Sequence, residues 1–142
     1  MRVVIDTNVL LSALMTRGGT SDKVYQAWRE GRFELVSASA QLTEIRRVSR
    51  YSKLRPRLQA HQVGTLVNQL RHTLLPGKLP ALPTTLKLDD PDDAFLAQMA
   101  LACEADWLLT GDRRAGLLEL GSIGRTRIAT PAVFIREAID LS

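Results

Sequence analysis

Residues 1–19 read MRVVIDTNVLLSALMTRGG, and the order of residue types in this stretch decides the fold. Val3–Ile5 are β-branched and stop at Asp6-Thr7-Asn8, which predicts a short buried strand running directly into a helix near Val9–Met15. An ionised carboxylate is costly to bury unless something pairs with it. Asp6 therefore needs a basic residue or a metal ion, or the strand ends in an open cleft.

Outward from this stretch the same alternation repeats. Gly18-Gly19 break the first helix, and Ser21 is placed to cap a second that carries Val24, Ala27 and Trp28 on one face and ends at Gly31. Phe33–Val36 reads as a strand, and Ser37 or Ser39 starts a helix with Leu42, Glu44, Ile45 and Val48. A basic connection at Tyr51–Arg57 leads to a helix over Leu58–Leu75. PGKLPALPTTLKL (76–88) is too proline-rich for a helix and predicts an irregular connection with one short extended piece. Asp90 caps the next helix, Pro91 suits its first position, and Leu96, Ala100 and Cys103 form its apolar stripe. Trp107–Leu109 and Arg127–Ala129 read as strands, and Pro131 opens a last helix through Ile139. Strands alternating with helices imply an α/β sandwich around a mostly parallel sheet. In such sheets ligands bind beyond the carboxyl ends of the strands, where Asp6 and Asp112 both fall.

The bulk properties fit a single domain spanning 1–142, with 45% hydrophobic and 24% charged residues. No apolar run reaches the roughly 18–20 residues that span a bilayer, and the opening residues do not resemble a signal peptide. One cysteine, Cys103, excludes an internal disulfide and suits a reducing cytoplasm. A net charge of +4 carried mostly by arginine favours phosphate-bearing partners.

Four separated places supply acids: Asp6, Glu44, the Asp89/Asp90/Asp92/Asp93 cluster and Asp112. Each has an ordinary explanation when taken alone. Asp6 can cap a helix, Glu44 can pair with Arg47, the aspartates at 89–93 suit a helix N-terminus, and Asp112 follows a turn glycine. Gathered together they would repel one another and suit a hard divalent cation such as Mg²⁺ or Mn²⁺. Zinc is a poor fit, since His61 and His72 lie far from any cysteine pattern and no tight ligand spacing occurs.

Four blocks occur in order: VVIDTNVLLSAL, ASAQLTEI, DPDDAFLAQMAL and ADWLLTGD. Together they resemble the PIN-domain family, and most closely its VapC-like toxin ribonucleases from toxin–antitoxin pairs. The resemblance runs from Arg2 to the terminal helix. It implies a three-layer α/β/α sandwich with a short, mostly parallel central sheet. It also implies an acidic site of Asp6, Glu44, Asp93 and Asp112, holding Mg²⁺ or Mn²⁺. Asp93 is chosen because family members place an acid seven residues before a small helix residue, here Ala100; Asp92 is the alternative. Thr7, Asn8 and Thr110 resemble the family's polar helpers, which orient carboxylates or water. One position departs from close relatives: Arg114 stands where a further acid often follows TGD.

The implied reaction is phosphodiester hydrolysis of RNA by an activated water. Asp6 and Asp93 would be direct ligands, with Glu44 and Asp112 as ligands or water positioners. The stretch EIRRVSRYSKLRPR places Arg46, Arg47, Arg50 and Lys53 after Glu44, either to track an RNA backbone toward the site or as a solvated helix face. Tyr51 is available there for base stacking. The toxin likeness further implies a homodimer, a cognate antitoxin and a cytoplasmic location. The antitoxin's apolar helix is expected beside the Leu10–Met15 or Val24–Trp28 helices. The alternative is a PIN-like scaffold that binds RNA or protein without cutting.

Overall fold

The computed structural model describes residues 1–86, 88, 90–111 and 116–140. Strand β1 (Arg2–Ile5) ends at Asp6, which caps α1 (Thr7–Met15) by accepting the Asn8 N–H at 3.1 Å. α2 (Thr20–Arg29) starts one residue before the expected cap, Ser21, with Gly19 at the N-cap. Asp22 steadies that entry by accepting the Gly18 N–H at 2.8 Å. Gly31 ends the segment with φ at 75°, a left-handed conformation that favours glycine. β2 (Glu34–Val36) and α3 (Ser39–Val48) follow.

The helix expected over 58–75 is shorter, because Leu58 and Gln59 are extended and α4 covers Ala60–Leu70. A 3₁₀ turn, Arg71–Thr73, continues it, and Leu74 then pairs in parallel with Ser37. The extended piece expected within 76–88 thus falls just ahead of the prolines, whose missing N–H groups could not have joined this pairing. α5 (Pro91–Cys103) is capped by Asp90, which accepts the Asp92 N–H at 2.8 Å. β3 (Trp107–Leu109), α6 (Gly116–Leu120), β4 (Ser122–Ile123) and β5 (Thr126–Ala129) complete the sheet region. α7 (Pro131–Phe134) runs on into a wider π turn, Ile135–Ile139.

The strand order is β2-β1-β3-β5-β4, with β1, β2, β3 and β5 parallel and β4 an antiparallel edge. Alternate residues of β1 serve opposite faces. Val3 and Ile5 pack with α1–α4 and α7, while Val4 packs with α5 and α6. Fully burying each such side chain stabilises the fold by about 1.5–3 kcal/mol. This is the three-layer α/β/α sandwich with a short, mostly parallel sheet. From β1 the chain crosses to β2 on one side, and it returns to β3 on the other. The point where the order reverses leaves a crevice beyond the carboxyl ends of β1 and β3. Among the described residues, no helix is long and apolar enough to cross a membrane.

Candidate active site

Asp6 and Thr110 stand side by side at that crevice because β1 and β3 are in register, Ile5 against Leu109. The Asp6 N–H donates to the Leu109 carbonyl at 2.8 Å, so the parallel pairing extends one residue past β1. The two carboxylate oxygens of Asp6 accept from different elements. Oδ1 takes the Asn8 N–H, and Oδ2 takes the Thr110 hydroxyl at 2.9 Å. These two bonds fix the carboxylate plane. Asp6 is both a helix cap and a wall of the cleft, so its two sequence readings describe one geometry.

The cleft has a volume of about 600 Å³ and draws on both helical layers. Asp6 and Asn8 come from the β1–α1 junction, Glu44 from α3, and Asp90, Asp92 and Asp93 from the start of α5. Asp93 points inward and is only 5% exposed, on the same helix face as Leu96, Ala100 and Cys103. Asp92 is exposed at the mouth. Thr7 and Thr110 are buried, while Asn8 is exposed beside Asp6. Asp112 and Arg114, read from the sequence as a site acid and a departure from the pattern, lie outside the described residues.

The acids act on one another electrically. Glu44 is held above the usual carboxylate range, first by burial, then by a hydrogen bond and charge from Asp92 and the charge of Asp6. A hydrogen bond from Thr7 works in the opposite direction. Arg47 sits 4.0 Å from Glu44 Oε2, a loose pairing, and donates to the Tyr51 hydroxyl at 2.7 Å.

A support for Glu44 escaped the sequence reading. Gln41 is 1% exposed, and its Nε2 donates to the Ile5 carbonyl at 2.7 Å while lying 3.5 Å from Thr7 Oγ1. The Ser37 hydroxyl donates to Gln41 Oε1 at 2.6 Å. Ser37 and Gln41 thus tie α3 to the end of β1 and hold Thr7 against Glu44. The available signal was spacing: Gln41 and Glu44 lie three apart, and so share a helix face.

The four cations read as one RNA track divide between two cavities. Arg47 and Lys53 line the acidic cleft with Tyr51, whereas Arg46 and Arg50 line a separate cavity between α3 and α4. The helices beside which a partner helix is expected, α1 and α2, pack against each other. Leu10 of α1 and Val24 of α2 are buried in the same core.

The donors in the cleft are carboxylate oxygens, the kind that hard divalent cations take. Among the described residues, no group of three or more acidic, histidine or cysteine side chains is arranged to hold an ion by itself. Mg²⁺ is commonly held by one or two carboxylates with waters and substrate phosphate oxygens, so the donor chemistry fits such an ion. No curated protein matches the chain. Residues 2–114 match the PIN domain, from the first residue of β1 to beyond the end of β3. With most of its length accounted for in this way, the chain belongs to the PIN-domain family, whose members are generally nucleases.

Proposed function

We propose that this protein is a Mg²⁺- or Mn²⁺-dependent endoribonuclease that hydrolyses internal phosphodiester bonds of RNA. The observation that carries this reading is the gathering of Asp6, Glu44, Asp92 and Asp93 in one cleft, despite the burial and neighbouring charge that raise Glu44. Helix capping explains Asp6 and Asp90 singly, but does not explain bringing Glu44 and Asp93 to the same strand ends. A divalent cation among these carboxylates would relieve their crowding.

Asp6 and Asp93 are the residues to hold the ion, because Asp6 has a fixed plane and Asp93 is buried. Asp112 is proposed beside them from its place after β3 in the TGD block. When bound, the divalent cation lowers the pKa of water and stabilises charge on the phosphate oxygens. Glu44, oriented by Thr7, positions the attacking water and accepts its proton. Thr110 and Asn8 hold Asp6 in place. Arg47 and Lys53 bring phosphate into a cleft whose acids would otherwise repel it.

The biological role we propose is the toxin half of a toxin–antitoxin pair, acting in the cytoplasm as a homodimer. It rests on the likeness of the four sequence blocks to VapC-like ribonucleases. The antitoxin is expected to insert an arginine or lysine among the acids and so displace the ion.

Two assays test these readings. Purified protein is incubated with a mixed RNA pool in Mg²⁺ or Mn²⁺, with a chelated control. Cutting that stops on chelation is expected; no cutting of any RNA would favour the binding scaffold. In a bacterial host, expression of the parent is expected to arrest growth and the neighbouring gene to restore it. Harmless expression of active protein would count against the toxin role alone.

A further inference from the structure

A second cavity, of about 630 Å³, lies between α3 and α4 and contains no acidic residue in its lining. Arg46 enters it from α3, Arg50 from the turn just past the end of α3, and Arg55 from the following 3₁₀ turn (Arg55–Arg57). Among the described residues none of these three arginines makes an ion pair. Val63 and Val67 form an aliphatic floor, with Asn68 on the same helix offering amide groups. Gly64 lies mid-helix in the wall, where helix propensity disfavours glycine, and a Cβ there would meet nothing within 4 Å. The cavity is thus open, cationic and part apolar.

We propose that this cavity is a second phosphate-binding site, which grips a single-stranded RNA away from the bond that is cut. The proposal deepens the endoribonuclease reading and rests on it for the identity of the strand. One helix, α3, separates the two cavities. Glu44, Arg47 and Val48 face the acids, while Arg46, Ser49 and Arg50 face the other way. A helix with its side chains is about 10–12 Å across, a distance a strand covers within a few nucleotides. Lys53 and Arg55 follow one another in chain order but line different cavities, so cationic charge continues around the C-terminal end of α3.

Guanidinium groups match phosphate in charge and in paired hydrogen-bond geometry. An acidic peptide would account for the arginines and the aliphatic floor. It would not account for the cations that lead onward into the acidic cleft. The strand that binds both places must therefore be longer than a dinucleotide, and cutting falls at internal bonds.

Binding of a single-stranded RNA of about 12 nucleotides is measured in chelator, where it is not cut, across a series of salt concentrations. Arg50→Ala with Arg55→Ala changes two exposed side chains and should leave the fold intact. The double variant is expected to flatten the slope of log affinity against log salt by about 1.4, because each phosphate contact on a single strand contributes about 0.7. Gly64→Glu improves helix propensity and places a carboxylate among the arginines, so it should weaken binding at every salt concentration. A parental slope in the double variant, or parental affinity in Gly64→Glu, would overturn the proposal. Uptake of a polyglutamate peptide that Gly64→Glu abolishes, with the RNA slope unchanged, would assign the cavity to a protein partner and also overturn it. RNA that binds through this cavity yet is never cut in Mn²⁺ would support the second site while contradicting the nuclease reading.

Discussion

The Thr110 hydroxyl, fully buried at the end of β3, donates to Asp6 Oδ2 at the end of β1 across 2.9 Å. This bond couples the sheet register to the orientation of a site carboxylate. Thr110→Val keeps the branched shape and removes the donor. Cleavage is expected to fall about 10–100-fold, the usual effect of losing a group that orients a metal ligand. Thr110→Ser should recover most of it, and the kinetics of the three proteins check this.

Asp6 has two roles that substitutions can separate. Asparagine caps helices as well as aspartate does, so Asp6→Asn should abolish cleavage and leave the melting temperature of chelated protein at or above the parent's. Asp6→Ala loses the acceptor for the Asn8 N–H and should cost about 0.5–2 kcal/mol in addition. Denaturant unfolding of both variants distinguishes the two contributions.

Gln41 is expected to matter for stability as well as for the site. Gln41→Leu leaves the Ser37 hydroxyl without its acceptor and the Ile5 carbonyl without the Gln41 donor. A loss of about 1–3 kcal/mol in unfolding free energy is expected from such stranded buried groups. Equilibrium urea unfolding measures it, and an unchanged midpoint would remove Gln41 from the account.

The raised carboxyl of Glu44 predicts a pH dependence with a definite sign. In the unfolded chain Glu44 titrates as an ordinary glutamate, and in the fold it holds its proton to higher pH. Its favourable contribution is therefore full below the unfolded value and is lost as pH rises through the folded one. With chelator present, the melting temperature of the parent should fall relative to Glu44→Gln as pH rises from about 4 toward neutrality. A gap that stays constant with pH would contradict the burial of Glu44 among acids.

Much of this arrangement was legible in the chain. The β-branched run Val3–Ile5 and the apolar Trp107–Leu109 announce strands, and their abrupt polar ends put Asp6 and Thr110 at one edge. Asp93 could be separated from Asp92 by the stripe it shares with Leu96 and Ala100, and it is the buried one. Other features were hidden for physical reasons. α6 and β4 are too short to show a period, and Gly121 turns the chain between them with φ at 72°. Gln41 looks like one more polar residue on an amphipathic helix until its contact with the Ile5 carbonyl is seen. The basic run after Glu44 reads as a single patch in sequence. The turn of α3 divides it, with Arg46 and, just past the helix end, Arg50 on one side and Arg47 on the other.

The central claim is that the buried carboxylates, and not the basic surface, carry the chemistry. Its most direct test is the single-turnover rate of cutting one single-stranded RNA in Mn²⁺ by the parent and by Asp93→Asn. Measurable cutting by the parent is expected, and none by a folded Asp93→Asn protein. Cutting by Asp93→Asn at the parental rate would contradict it.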